Sequence, residues 1–189
     1  MLDTCVLWPS LQRDFLLSLA VEGLYRPVWN SVILAELEYE EAVKWVGRDE
    51  DEDAAARRAA RLVSQMRAAF PDAEISGWEE LEGTYGLPDA DDEHVVAAAR
   101  AAGASVIVSH NLKDFPADRL PRGMEAAAPS QFVQSVVALG PVQAWMAVET
   151  IARRSGRRGP SVSAFSIVEL LESRYGMVEA CCLLRKVAS

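Results

Sequence analysis

The segment PDADDEHVVAAARAAGASVIVSHNLKDFP (88–116) constrains this chain more than any other. Acids gather at its start and an alanine-rich run follows. Gly103 stands where a helix should stop, so the pattern predicts a helix over about 91–102. Ser105 to Val108 is then a short apolar strand, and NLKDFP (111–116) breaks it. A helix feeding a short, wholly apolar strand is the repeating unit of a parallel sheet covered by helices. The rest of the chain repeats the theme. Met1 to Leu7 is an apolar run that reads as a strand ending near Asp3, and Pro9 suits the first turn of a helix through Gln12–Val21. Tyr25 to Trp29 is short and β-prone. Ser31 is placed to cap a helix through Val32, Ile33, Leu34 and Leu37. RDEDED (48–53) reads as the acidic entry to a helix over 54–70, where carboxylates favour the dipole. Short strands are expected at 73–75 and 124–127. The expected fold is therefore α/β, with a mostly parallel sheet. Beyond Pro129 the texture becomes helical, in segments about 130–139, 142–154, 166–173 and 178–187. The basic linker RRSGRRGPS (153–161) lies among them, and the expected division is 1–138 and 139–189.

In open α/β sheets, ligands bind beyond the carboxyl ends of the strands. Asp3 follows the first apolar run, and Asn111 and Asp114 follow the strand at 105–108. Asp89, Asp91 and Asp92 open the alanine-rich helix. Glu36 lies one turn into the helix after Ser31. Like charges raise one another's pKa and oppose folding unless a cation joins them. A hard divalent ion such as Mg²⁺ or Mn²⁺ takes such oxygen ligands and keeps several waters. It lowers the pKa of a bound water and neutralises phosphate charge, which is what phosphodiester hydrolysis requires. Asp89, after Pro88, is also a natural turn residue. His94 reads as a surface or half-buried helix residue rather than a ligand, and the tryptophans, Trp29 and Trp78 among them, as core and helix-packing residues.

Net charge is −9 over 189 residues, split into −12 for 1–135 and +3 for 136–189. An acidic body argues against coating nucleic acid by bulk attraction. Three cysteines, Cys5, Cys181 and Cys182, make neither a disulfide framework nor a zinc site, and are expected to be reduced. No apolar run approaches a membrane span, and the N-terminus lacks a secretory pattern, so a cytoplasmic protein is expected.

The pieces LDTCVL (2–7), SVILAEL (31–37), 88–104 and VIVSHNLKDFP (106–116), in this order, resemble the PIN-domain family of nucleases, and within it the VapC-type toxins of bacterial toxin–antitoxin pairs. The resemblance covers about residues 1–135. It implies a three-layer α/β/α sandwich with a mostly parallel central sheet, followed by a small all-α C-terminal region. By motif position Asp3 and Asp92 would hold the metal, Mg²⁺ or Mn²⁺. Glu36, Asn111 and Asp114 would complete the catalytic set, and Thr4 would support it. The implied activity is endoribonuclease cleavage of tRNA or another structured RNA, silenced by a VapB-like protein antitoxin, in a protein able to form a homodimer. Arg153, Arg154, Arg157 and Arg158 are candidates for the RNA backbone. A haloacid-dehalogenase phosphatase would need Asp at position 5, where Cys5 stands. A response-regulator receiver would need a further acceptor Asp on a middle strand. A catalytically weak or inactive PIN fold used for binding is the alternative.

Overall fold

The computed structural model describes residues 1–156 and 160–188. Its elements fall into two compact units: Met1–Trp8 with Pro27–Ala127, and Pro9–Arg26 with Ala128–Ser189. The partition is not one cut along the chain, because a helix near the N-terminus groups with the C-terminal helices.

The first unit is α/β. In chain order it holds α1 (Thr4–Leu7), α3 (Ser31–Val46), α4 (Glu52–Ala69), α5 (Glu93–Ala101), β1 (Val106–Val108) and β2 (Glu125–Ala127); α2 (Ser10–Val21) belongs to the second unit. β1 and β2 pair in parallel, Val106 opposite Glu125 and Val108 opposite Ala127. Single parallel bridges extend the ladder. Leu2 pairs with Val108, and Trp29 pairs with Glu74. The Leu2 amide donates to the Val28 carbonyl at 2.9 Å, joining those two pairs. Side by side, the extended segments thus run Glu74, Trp29, Leu2, β1, β2.

Leu2, Trp29, Ile107 and Val108 are all buried to 1% exposure or less. That burial on both faces explains why these strands read as short apolar runs without alternation. α5 is buried from Glu93 through Ala99, so its alanines are the side chains small enough for a helix enclosed all round. Its exit is a Schellman-type stop. Gly103 has φ +64°, and the Ala104 amide reaches back to the Ala99 carbonyl at 2.9 Å. α3 packs on α4, which turns Ala55, Ala59, Val63 and Met66 inward at helical spacing.

Three local expectations change. The run 1–7 is not a strand throughout. Extended pairing ends at Asp3, whose carbonyl accepts the Val6 and Leu7 amides and so starts α1. The cap of α3 is Asn30 rather than Ser31, its Oδ1 accepting the Ile33 amide at 2.9 Å. Pro9 is the residue before α2, not its first turn. The acid run 48–53 does serve a helix entry, since Asp51 caps α4 through the Ala54 amide.

The second unit is all-α. It contains α2 with α6 (Pro129–Leu139), α7 (Pro141–Ser155), α8 (Ala164–Tyr175) and α9 (Val178–Val187). Buried Phe15, Leu16 and Leu19 from α2, Ala144, Ala147 and Val148 from α7, and Val168, Leu171 and Leu184 furnish its core. No single described helix is long and apolar enough to cross a membrane. Cys5, Cys181 and Cys182 are free thiols.

Candidate metal centre

Asp3, Asn30 and Ser109 each stand one residue past a paired segment, at the carboxyl edge of the sheet. Asp3 is anchored there by its amide, which donates to the Val108 carbonyl at 3.1 Å. Its Oδ2 accepts from Ser109 Oγ at 2.6 Å and from Cys5 Sγ at 3.0 Å. Ser109 in turn accepts the Asn111 amide at 2.9 Å, so its hydroxyl has one direction left in which to donate. Burial, and then the charge of Asp3, push the Cys5 thiol up to about 12, which keeps it an S–H donor to that carboxylate. With Oδ2 held twice, Oδ1 is the oxygen Asp3 can offer a ligand.

The chain from Pro88 brings further acids to the same edge. Asp89 Oδ1 accepts the Asp91 amide at 3.0 Å and opens a 3₁₀ turn over Ala90–Asp92 that leads into α5. Glu93, the next residue, is buried and points backward, accepting the Tyr85 and Leu87 amides at 3.0 and 2.9 Å. These bonds tie down the preceding loop and hold its carboxyl below the usual range against the opposing effect of burial. After β1, a 3₁₀ turn over Leu112–Asp114 places Asp114, which accepts a hydrogen bond from Asn111 Nδ2. On α3, Glu36 Oε2 accepts from Thr4 Oγ1, and Oε1 lies 3.7 Å from His94 Nε2.

One carboxylate oxygen from each of Asp89, Asp92 and Asp114 falls within 4.8 Å of the others. Asp92 is pushed up to about 6, first by burial and then by the charges of Asp3, Asp89, Asp114 and Glu36. The close oxygens are thus those of Asp89, Asp92 and Asp114, and Asp3 and Glu36 add negative charge felt at Asp92. Asp3 and Asp114 are buried, Asp92 is half-buried, and Asp89 and Glu36 are exposed. Lys113 Nζ, on an exposed side chain, stands 4.0 Å from Asp114 Oδ1. The donor set is all oxygen, the kind a hard divalent cation takes.

Of the residues singled out in sequence, Asp92 and Asp114 lie in the oxygen cluster, Asp3 and Glu36 lie outside it and reach Asp92 through their charge, and Asp91 is exposed and also outside. Thr4 and Asn111 serve the acids, one donating to Glu36 and the other to Asp114. Asp89 was legible as a turn residue, and it is one, but it is also a member of the cluster; its place three residues before Asp92 is the signal. Ser109, Cys5, Asn30 and His94 carried no local motif that marks them as supports. Arg153 donates to Thr150 Oγ1 at 2.8 Å. Arg154 lies within the second unit and donates to Asp14 at 2.8 Å and to Ser18 at 3.0 Å. Arg157 and Arg158 lie outside the described residues.

The Ser109 hydroxyl offers a graded test of this arrangement. Ser109→Ala removes a donor to Asp3 without touching a carboxylate. Outer-shell partners of metal ligands are worth roughly 10–100-fold in affinity or activity. Divalent-cation affinity, measured by calorimetry, is expected to fall within that range.

No curated protein and no solved structure matches the chain. A family model, described as PIN domain, matches residues 1–113, which contain Asp3, Glu36, Asp89, Asp92 and Asn111 and end one residue before Asp114. PIN domains are generally metal-dependent nucleases, and the parallel sheet with acids at its carboxyl edge is in keeping with that chemistry. This chain belongs to the PIN-domain family.

Proposed function

We propose that the protein is a metal-dependent endoribonuclease acting as the toxin of a type II toxin–antitoxin pair. The observation that carries the nuclease reading is the convergence of Asp89, Asp92 and Asp114, with Asp3 and Glu36 acting on Asp92. Asp3 and Asp92 would hold the cation, Mg²⁺ or Mn²⁺, with Asp89 and Asp114 as further oxygen donors beside Asp92. When bound, such an ion supplies an activated water and offsets charge on the phosphate. Glu36 stands at the exposed side, where an entering phosphodiester and its attacking water arrive. Thr4 steadies that carboxylate by donating to its Oε2. Asn111 holds Asp114 and adds no charge to the site.

The RNA substrate and the VapB-like antitoxin rest on the motif resemblance over 2–7, 31–37, 88–104 and 106–116. With the cation in place, the acidic body presents a less repulsive edge to a polyanion. The basic stretch at Arg153, Arg154, Arg157 and Arg158 is the proposed contact to the RNA backbone, with Arg154 having to leave Asp14 to serve. Cytoplasmic location and homodimer formation complete the reading.

A structured RNA and a DNA of the same sequence, each incubated with the protein in Mg²⁺ or in excess chelator, test it. Endonucleolytic products are expected from RNA with Mg²⁺ and none with chelator. Intact RNA under both conditions would leave an inactive PIN fold that binds without cutting. For the toxin role, expression should arrest growth, and the product of a small open reading frame beside the gene should relieve the arrest.

A further inference from the structure

His94 is 4% exposed, sits two residues after Asp92, and has no part in holding the proposed cation. Its ring is gripped from behind by Asn30, which is fully buried. The orientation of the Asn30 amide is fixed by two backbone groups. Oδ1 accepts the Ile33 amide at 2.9 Å, and Nδ2 donates to the His94 carbonyl at 3.1 Å. A flipped amide would set oxygen against oxygen and N–H against N–H. The second hydrogen on Nδ2 points at His94 Nδ1, 3.0 Å away. Nδ1 is therefore an acceptor, and the ring proton is on Nε2. Trp78 packs beside the ring, centroids 6.1 Å apart and planes at 57°, and restricts its tilt. Nε2 faces Glu36 Oε1 at 3.7 Å, while the other oxygen of Glu36 is taken by Thr4.

We propose that His94 is a positioning residue for Glu36. Asn30 fixes the tautomer, and Nε2–H, 3.7 Å from Oε1, steadies the carboxylate whose other oxygen Thr4 holds. The inference rests on the nuclease reading for the role of Glu36, and, for the relay, on the Asn30–His94 hydrogen bonds and the 3.7 Å approach of Nε2 to Oε1. The donor is uncharged. An Arg or Lys in its place would bring a fixed positive charge to the cluster and compete with the cation, whereas the imidazole N–H orients the acid and leaves its charge available. At 3.7 Å the pair is longer than a hydrogen bond, and the proposal has it tighten to one when substrate arrives.

A purely structural His94, tethering α5 to Asn30, predicts different results from a positioning one. His94→Asn keeps an oxygen where Nδ1 was, preserving the tether and removing the donor. His94→Gln keeps an N–H where Nε2 was and loses the tether. The proposal expects His94→Asn to lower kcat on RNA by about tenfold or more, with KM little changed and with the parent fold by circular dichroism. It expects His94→Gln to recover most of that loss. Equal losses, or a larger loss in His94→Gln, would overturn it. A measurement independent of cleavage uses two-bond ¹H–¹⁵N spectra of the chelator-treated wild-type protein and of Glu36→Ala. The proton should be on Nε2, and its resonance should move in Glu36→Ala while the Asn30 side-chain amide stays put. A proton on Nδ1, or an Nε2 resonance indifferent to Glu36, would overturn the proposal whether or not RNA is cut. Wild-type protein that fails to cut RNA while showing the expected spectra would count against the nuclease reading and leave the relay standing.

Discussion

Asp92→Asn is expected to lower metal-dependent RNA cleavage by more than about a hundredfold, and at the same time to stabilise the metal-free protein. Outer-shell partners already cost roughly 10–100-fold, and a ligand itself should cost more. The stability gain follows from the same geometry. Burial opposes the Asp92 charge, and the charges of Asp3, Asp89, Asp114 and Glu36 add repulsion. It makes no side-chain cap hydrogen bond that the amide would forfeit. Replacing it by a neutral isostere relieves repulsion, by about 1 kcal/mol at neutral pH once solvent screening of a half-exposed group is allowed for. Thermal melts in chelator should show the variant above wild type. Adding Mg²⁺ should raise the wild type and leave the variant where it was. An inert substitution, or one that merely damages the fold, would not produce both signs together.

The second large effect is on pH. The Asp92 carboxyl has an ordinary value of 3.8 and is raised to about 6 in the folded protein. Between those values the folded state holds a proton that the unfolded state has released. The group therefore opposes folding increasingly as pH rises from 3.8 to about 6, and by a constant amount above that. Metal-free protein should accordingly lose some stability across this window. Cation binding has the opposite dependence, because the ligand must be deprotonated. Divalent affinity should be level above about pH 6 and fall by up to about tenfold per unit below it, since one proton competes with the ion. Calorimetric titrations with Mn²⁺ at pH 7.5, 6 and 5 check the slope. The same dependence should be missing in Asp92→Asn.

What was legible in the sequence follows what local chemistry can encode. The α5–β1 unit was readable end to end, because the acidic entry, alanine run, Gly103 and VIVS are contiguous signals. Asp92 and Asp114 came with it. The strand at Met124–Ala127 and the helices after Pro129 were likewise placed close to where they stand. The remainder of the sheet was harder to bound. Leu2 and Trp29 each contribute a single bridge, too short for any periodicity, and their pairing depends on partners 106 and 45 residues away. Asn30 takes the cap expected of Ser31 through Oδ1, and its Nδ2 meets His94, a contact across 64 residues. Asp89 was readable as a turn residue and not as a cluster member, since a turn acid and a metal acid look alike until Asp114 is brought beside it. The grouping of α2 with the C-terminal helices, with Asp14 meeting Arg154 across 140 residues, left no local trace.

A cation site built around Asp92 is central to the proposed function. Calorimetric titration of Mn²⁺ into wild-type protein and Asp92→Asn at pH 7.5 tests that most directly. Saturable binding by the wild type, abolished or weakened by more than about a hundredfold in the variant, is the predicted result. No saturable binding by the wild type, or equal binding by the two proteins, would contradict it.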